Sequence, residues 1–213
     1  HNSKGLKMND KSLTEKYRPT KLSECVLPKK IKSKLEKWKK KMPNHLIFHG
    51  NSGIGKTSTA IALAKELSKD DYVVINASKD NSVDFINNYL LRCMCTSLSG
   101  SKRIIILDEA DQLTEKAQTS LRRPLEEYAH ISSVIFTYNY TDKIIEPLKS
   151  RCFQFDFNIS DNEEKNQMKE QCKKRLKKII KIEKINISNN DLDEIVYQNY
   201  PDIRKCINQL ELY

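Results

Sequence analysis

The chain has 213 residues, with 38 Lys and Arg against 28 Asp and Glu, and its formal net charge is +10. This length fits one large domain, or one domain with a small satellite, and it can bury a core without disulfides or metals. No apolar run approaches the roughly 20 residues that a membrane-spanning helix needs, and no secretory signal opens the sequence, so we expect neither a membrane protein nor a secreted one.

The first predicted helix lies in the most basic part of the chain. Residues 1–50 hold 14 basic and 4 acidic side chains, so the whole basic excess lies there. Residues 29–41 read KKIKSKLEKWKKK, and apolar residues recur every three or four positions, which predicts an amphipathic helix with the stripe Ile31, Leu35, Trp38 and Met42. The lysines form either a patch for nucleic acid or an acidic partner, or a solvated helix face. We favour the solvated face, because charge alone is a non-specific signal.

Beyond this helix, apolar strands alternate with helical segments. The predicted strands are His45–His49, Tyr72–Asn76, Arg103–Leu107, Ser133–Thr137 and Cys152–Phe157. The predicted helices between them are Lys56–Leu67, Ser82 to about Thr96, and Leu113–Tyr128. Such alternation is typical of a parallel sheet that helices cover on both faces.

From Asp161 onward the strands stop and only helices are predicted. They are Asp161–Lys181, Asn190–Asn199 and Asp202–Leu212. We therefore expect an α/β domain with a five-stranded parallel sheet over residues 1–158, followed by a small all-α domain over residues 159–213.

The first strand leads into a phosphate-binding pattern. Residues 50–57 read GNSGIGKT, which fits GxxxxGK[ST] between a strand and a helix. Glycines let several backbone N–H groups point at one phosphate chain, Lys56 can reach the β- and γ-phosphates, and Thr57 can bind Mg²⁺. The alternative is a glycine-rich turn with an ordinary lysine. The predicted nucleotide-binding residues here are Gly50, Asn51, Ser52, Gly53, Ile54, Gly55, Lys56, Thr57 and Ser58.

The third strand ends in carboxylates, in the sequence RIIILDEAD. Asp108 lies at the carboxyl end of a parallel strand beside the phosphate loop, where it can hold Mg²⁺ directly or through water. Glu109 can orient and deprotonate the attacking water. Asp111 has a simpler alternative as the cap of the next helix.

Six cysteines are spread along the chain without a CxxC pair. They are Cys25, Cys93, Cys95, Cys152, Cys172 and Cys206. The four His do not cluster with them, so we expect no zinc site and interpret the cysteines as reduced, mostly buried thiols.

Several further segments, taken in order, resemble one family. Residues 15–19 read EKYRP, residues 23–28 read SECVLP, and residues 76–80 read NASKD. Residues 107–123 read LDEADQLTEKAQTSLRR, residues 138–140 read YNY, residues 150–152 read SRC, and residues 201–205 read PDIRK. The chain thus resembles the clamp-loader ATPase subunits of the AAA+ superfamily, namely replication factor C small subunits and the T-even phage clamp-loader subunit.

The resemblance implies the AAA+ P-loop NTPase fold with a helical lid, and it implies residue roles. Asn139 is implied as sensor 1 and Arg204 as sensor 2, and Arg151 as a finger that completes the site of a neighbouring subunit. Taken alone, these residues are also typical of a turn Asn and surface Arg side chains. The adenine and ribose pocket is implied at Tyr17, Arg18, Pro19, Val26, Leu27 and Ile203, of which Tyr17 and Val26 are alternatively ordinary core residues.

The resemblance also implies phosphate contacts to DNA. These are expected at Lys79, Asn81, Ser82 and Lys116, and they are insensitive to base sequence. Pro124 departs from the usual helix and is expected to kink it, which puts an intersubunit role of Arg122 and Arg123 in question.

The function implied is a sliding-clamp loader subunit for DNA replication. It would hydrolyse ATP with Mg²⁺, and this activity would require an oligomer, which is a pentamer in the full-length protein. DNA would stimulate the hydrolysis, and the partners would be the sliding clamp, primer–template DNA and other loader subunits. The expected location is the cytoplasm, of a host if the source is viral, or the nucleus if it is eukaryotic. A collar domain normally follows the lid and is not among these residues, either because the sequence was cut there or because the natural protein lacks one. Two alternatives stay open: another DNA-acting AAA+ ATPase, such as a helicase loader or origin-binding type, and a non-hydrolysing nucleotide-binding scaffold.

Overall fold

The computed structural model describes residues 11–39, 42–68, 71–96 and 102–213. Its strands are β1 His45–His49, β2 Tyr72–Asn76, β3 Arg103–Asp108, β4 Ser132–Tyr138 and β5 Phe153–Asp156. The helices of the α/β part are α1 Leu13–Lys16, α2 Lys29–Trp38, α3 Lys56–Ser68, α4 Val83–Phe85, α5 Leu91–Cys95, α6 Glu115–Ser120, α7 Arg122–Glu127 and α8 Glu146–Lys149. The lid contains α9 Asn162–Glu183, α10 Asn189–Asn199 and α11 Ile203–Gln209.

The five strands form one sheet in the order β2-β3-β4-β1-β5, and every neighbouring pair is parallel. Side chains of a strand alternate between the two faces, so two separate cores form. Phe48 and Ile106 pack on one face with α2 and α3, whereas Ile47, Ile105 and Phe136 pack on the other face. The predicted α/β fold with a five-stranded parallel sheet covered on both faces is confirmed.

Helix α2 packs on the edge of this sheet through its predicted stripe. Ile31 and Leu35 are buried, and Trp38 and Met42 are partly buried against the same core. The Trp38 ring contacts the Phe155 ring edge-on at 5.3 Å between centroids. Lys40 and Lys41, which end the basic segment, lie outside the described residues.

The predicted helix over Leu113–Tyr128 is wrong as one continuous element. The structure has a 3₁₀ turn over Ala110–Gln112, and then α6 and α7 separated at Leu121. Pro124 has no N–H to bond the Ser120 carbonyl four residues earlier. Just before it, the Leu121 N–H bonds the Gln118 carbonyl, three residues earlier rather than four, at 3.2 Å. Pro124 is the third residue of α7, so the missing N–H lies in the first turn after the division.

The predicted helix over residues 82–96 also has an interruption. A π-helical turn over Ile86–Leu90 joins α4 to α5, and Ser82 caps the start by accepting a hydrogen bond from the Phe85 N–H at 3.1 Å. Such turns insert one extra residue into a helix, and the spacing of apolar residues in the sequence does not predict this one.

The lid has its own core, and the N-terminal segment, residues 11–28 before α2, takes part in it. Met168, Cys172 and Leu176 of α9 pack with residues of α10 and α11, and Val26 and Tyr17 join them. The N-terminal segment therefore connects the sheet domain to the lid. No helix in the described part of the chain is both long enough and apolar enough to cross a membrane.

Candidate functional site

A cavity of about 430 Å³ lies between the carboxyl ends of the strands and the lid. Five parts of the chain that are distant in sequence meet there: the N-terminal segment, the glycine loop between β1 and α3, the ends of β3 and β4, Arg175 of α9, and the start of α11. The predicted residues Tyr17, Arg18, Pro19 and Val26 line it from the first part, and Ile203 and Arg204 from the last. Clefts at the carboxyl ends of parallel strands are where α/β proteins bind ligands.

The loop between β1 and α3 is shaped by glycines with positive φ. Gly53 has φ of +75° and Gly55 has φ of +95°, a region that residues with a Cβ rarely adopt. A Cβ on Gly53 would lie 2.0 Å from Oδ1 of Asp202, because the Gly53 carbonyl accepts a hydrogen bond from the Ile203 N–H at 3.0 Å. A Cβ on Gly55 would meet only the Ile203 side chain, at 4.0 Å. The lid thus closes directly on the loop, while the space beside Gly55 stays open to the cavity.

Lys56 lies at the centre of the cavity and is only 7% exposed. Its Nζ donates to the carbonyls of Gly50 at 2.8 Å and Asn51 at 2.6 Å, and to Oδ1 of Asn139 at 2.8 Å. Burial lowers the pKa of Lys56 to about 8, although the carboxylates of Asp108 and Asp111 act in the opposite direction. The predicted lysine and the predicted sensor amide are therefore in direct contact.

Asp108 binds two hydroxyl groups. Its Oδ1 accepts from Thr57 Oγ1 at 2.7 Å and from Thr137 Oγ1. Hydroxyl and carboxylate oxygens are the ligands that Mg²⁺ takes in proteins, so the predicted pair Thr57 and Asp108 fits that ion. Thr137 was not predicted; a signal existed in the parallel register of β3 and β4, which pairs Leu107 with Phe136 and so brings the next residues together.

Glu109 adopts the left-handed conformation, with φ of 56° and ψ of 41°. A non-glycine residue in this region is uncommon and is held there by its surroundings. Glu109 directly follows the end of β3 at Asp108, and it lines the cavity. Its side chain is exposed rather than buried, which leaves it accessible to water.

Asp111 does not cap a helix, so that alternative is wrong. Its side chain is buried, and Oδ2 accepts hydrogen bonds from the backbone N–H groups of Asn139 and Tyr140, both at 3.3 Å. Thr114 caps α6 instead, by accepting from the Ala117 N–H at 3.2 Å. Asp111 therefore fixes the turn that carries Asn139.

Lid helix α9 binds the N-terminal segment through Arg175, which was not predicted. Its Nη1 donates to the Glu24 carbonyl at 2.6 Å, and its Nη2 donates to the Tyr17 carbonyl. The Tyr17 hydroxyl in turn donates to the Glu183 carboxylate. The segment that carries Arg18 and Pro19 is thereby tied to the lid.

Four predicted binding residues do not line this cavity: Gly50, Asn51, Ile54 and Leu27. Leu27 is fully buried. Asn51 and Ile54 line a second cavity of about 380 Å³ between the sheet domain and the lid, and Val26 and Ile203 line both cavities. Most of the predicted binding residues thus line one or both of two neighbouring cavities.

Arg151 also lies outside the cavity of its own chain. Its guanidinium contacts the carboxylate of Glu126 and the carbonyl of Pro147, in the corner between α7 and α8.

Within the described residues, no three His, Cys, Asp or Glu side chains are grouped so that they could hold a metal ion.

The residues predicted for DNA lie on another part of the surface. Lys79, Asn81 and Lys116 are exposed, and Ser82 is half-buried. The Asn81 carbonyl accepts a hydrogen bond from the Thr114 N–H at 3.3 Å, so the N-terminal ends of α4 and α6 lie side by side. Asn81, Ser82 and Lys116 therefore lie near one another at these two helix starts, and Lys79 precedes them in the chain.

Two family models match the chain. The model described as "ATPase family associated with various cellular activities (AAA)" matches residues 46–161. The model described as "sliding-clamp-loader large subunit, AAA+ ATPase lid domain" matches residues 164–213.

Curated relatives carry the name replication factor C small subunit. That of Methanoculleus marisnigri is 38% identical over 205 residues, which are 92% of this chain and 61% of the relative. That of Thermoplasma volcanium is 41% identical and covers 93% of this chain and 62% of the relative. The chain spans 61 to 64% of the length of the relatives it matches.

Solved structures show the same fold at lower identity. A mutant of RuvB from Thermotoga maritima aligns with a TM-score of 0.69 and 19% identity, covering 91% of this chain and 64% of that chain. At 19% identity, this similarity shows that the two proteins share a fold.

Proposed function

The chain belongs to the AAA family of ATPases, and we propose that it is the ATPase module of a sliding-clamp loader subunit. One observation carries this proposal: a single cavity collects the glycine loop, Lys56, Asp108, Glu109 and Asn139 under Arg204, which comes from a lid that matches the clamp-loader lid model. The proposed substrate is ATP. The proposed work is a cycle in which ATP binding opens a sliding clamp and grips primer–template DNA, and hydrolysis releases the clamp.

The residues around the cavity fit a nucleoside triphosphate with Mg²⁺. The space beside Gly55 is open, and the loop backbone there lies beside the amino end of α3, where N–H groups attract phosphate. Mg²⁺, when held by Thr57 and Asp108, supplies charge neutralisation for the phosphates. Tyr17, Arg18, Pro19, Val26, Leu27 and Ile203 are proposed to surround the adenosine.

The proposed chemistry divides between two chains. Lys56 and Arg204 neutralise the terminal phosphate, Asn139 orients the attacking water, and the Glu109 carboxylate accepts its proton. Arg151 is proposed to act on the nucleotide of a neighbouring subunit, since it lies outside its own cavity. Turnover therefore requires an oligomer, and we propose a pentamer in the full-length protein.

The partners are proposed from the same reasoning. Lys79, Asn81, Ser82 and Lys116 are proposed to contact DNA phosphates, because helix N-terminal ends and lysines attract the backbone without reading bases. The further partners are a sliding clamp and other loader subunits. The proposed location of the protein is the compartment where DNA is replicated, the cytoplasm or the nucleus.

Steady-state ATP hydrolysis tests the proposal. The natural full-length chain is assayed with and without primer–template DNA and the sliding clamp of the same source, beside Arg151→Ala. We expect stimulation by DNA and clamp, and at least about a thousandfold loss of turnover in Arg151→Ala. The matched control is Arg123→Ala, because the Arg123 side chain is 90% exposed and pairs only weakly, at 3.5 Å, with Glu127.

Two outcomes would point to the alternatives. ATP binding without turnover under every condition, in chains that do assemble, would indicate a nucleotide-binding scaffold. Strong turnover that responds neither to DNA and clamp nor to loss of Arg151 would indicate an ATPase of another kind.

A further inference from the structure

The guanidinium of Arg151 is held by two groups of its own chain. Oε1 of Glu126 accepts from Nε at 2.8 Å and from Nη2 at 2.7 Å, and the Pro147 carbonyl accepts from Nη1 at 2.6 Å. The Arg151 side chain is 25% exposed, and that of Glu126 is 65% exposed. The three contacts fix the plane of the guanidinium and leave it at the protein surface.

We propose that Glu126 is a positioning residue, which orients Arg151 toward an anionic group on a second copy of the chain. A guanidinium has five N–H donors in a fixed plane, and three of them take part in these contacts. Because Glu126 takes the edge formed by Nε and Nη2, each terminal nitrogen keeps one further N–H for an outside acceptor. Two N–H groups of one guanidinium can bond two oxygens of a phosphate.

This inference rests on the proposed function, in which the outside acceptor is the terminal phosphate of the nucleotide in the neighbouring cavity. A long, flexible arginine loses conformational freedom when it engages that phosphate. An arginine already fixed by its own chain loses less, so more of its interaction is available in the transition state.

Glu126 and its neighbour Glu127 provide a contrast within one helix. Glu127 pairs with Arg123 one helical turn away, at 3.5 Å, and both side chains are well exposed. Glu126 instead reaches from α7 to Arg151, two residues before β5, and accepts from two nitrogens of one guanidinium. The two neighbouring carboxylates of α7 therefore contact different parts of the chain.

The opposite role for Glu126 is restraint, in which the carboxylate competes with the phosphate for Arg151. The two roles predict opposite signs. Loss of a positioning carboxylate slows turnover, whereas loss of a restraining one speeds it. An ion pair that only connects α7 to the segment before β5 would affect thermal stability alone and leave turnover unchanged.

The test compares Glu126→Ala, Glu126→Gln and Glu127→Ala in the natural full-length chain, assembled with DNA and clamp. We expect Glu126→Ala to lower kcat about tenfold without changing KM, because the substrate of a given site is bound by its own chain. Glu126→Gln retains an oxygen acceptor and should recover most of kcat. Glu127→Ala should behave as the parent chain, and the melting temperature should stay the same in all three.

The double variant Glu126→Ala with Arg151→Ala provides the internal check. A residue that acts through Arg151 adds no further loss once Arg151 is gone. A Glu126→Ala variant as fast as the parent or faster, or an additive loss in the double variant, would overturn the positioning role.

These results separate the inference from the proposed function. If Arg151→Ala slows turnover and Glu126→Ala does not, only the role of Glu126 falls. If Arg151→Ala turns over like the parent, the finger and its positioning residue fall together.

Discussion

The cavity and the Arg151 corner, formed by Glu126, Pro147 and Arg151, differ in how they hold their charges. In the cavity, Lys56 is buried and is bonded to Asn139 and to loop carbonyls, and Asp108 is bonded to two hydroxyls. At the corner, Arg151 is bonded to an exposed carboxylate on the surface. The groups that line the cavity thus bond to one another within one chain, whereas the corner lies at the surface. Under the proposed function, the buried and mutually bonded groups bind the nucleotide of their own chain, and the group presented at the surface acts on another molecule.

The largest effect should come from the buried side of this comparison. Lys56→Ala removes the ammonium that reaches the cavity and leaves the Gly50 and Asn51 carbonyls without their donor. We expect a loss of about a hundredfold to a thousandfold in kcat/KM for ATP, by analogy with the removal of one charge-stabilising donor. Steady-state kinetics measure it.

Lys65→Ala, on the same helix and outside the cavity, is the matched control for Lys56→Ala. Equal activity of the two variants would show that Lys56 has no special part in the site.

A second prediction concerns the contact between the loop and the lid. Gly53→Ala should lower the free energy of unfolding by about 2–3 kcal/mol, because the new Cβ meets Asp202 and φ is positive. Gly55→Ala, which has positive φ but an open neighbourhood, should cost about 1–2 kcal/mol. Urea unfolding of both variants gives the difference.

Amide hydrogen exchange adds the location. Protection at the start of α11 should fall in Gly53→Ala and not in Gly55→Ala, since only Gly53 lies against Asp202. The same loss in both variants would mean that the lid does not rest on Gly53.

The smallest effect is a pH dependence that belongs to the buried lysine. With a pKa of about 8 in the free protein, lowered from 10.5, Lys56 is charged below pH 8 and loses its proton above it. Phosphate favours the charged form, so the affinity for ATP should be constant below about pH 8 and fall by up to about tenfold per unit above it. Between pH 8 and 10.5 the unfolded chain holds this proton more tightly, so the contribution of Lys56 to stability rises with pH in that window.

Calorimetry at pH 8.5 in two buffers of different ionisation enthalpy measures the proton taken up when ATP binds. Lys56→Arg is the control, because a guanidinium stays charged over this range and should show no uptake from this position. Binding without proton uptake by the parent chain would contradict a lowered pKa.

The sequence predicted the parts of the site that depend on local chemistry. Lys56, Thr57 and Asp108 lie in short patterns whose residue types suit phosphate and Mg²⁺, and the alternation of strands and helices predicted the sheet. Thr137 was missed because it meets Asp108 only through the pairing of β3 with β4. Arg175 was missed because it is one of many basic residues in α9, and only the fold shows that it reaches the Tyr17 and Glu24 carbonyls.

The same reasoning explains the errors around α6 and α7. Apolar periodicity continues through Leu121 and Leu125, so one helix is the natural prediction. The missing N–H of Pro124 was expected to kink that helix, and the structure divides it instead. No local pattern in the sequence contains the pairing of Glu126 with Arg151, because the two residues are 25 positions apart.

The central claim is that the cavity and the Arg151 corner belong to one reaction on two chains, and mixing two inactive variants tests it most directly. Lys56→Ala keeps the corner and loses the cavity, and Arg151→Ala keeps the cavity and loses the corner. Each alone should be inactive, and mixed oligomers should recover a substantial part of DNA-stimulated ATP hydrolysis, since intact cavities then face intact fingers. Mixed oligomers that form without any recovery, or an Arg151→Ala chain that is fully active alone, would contradict the account.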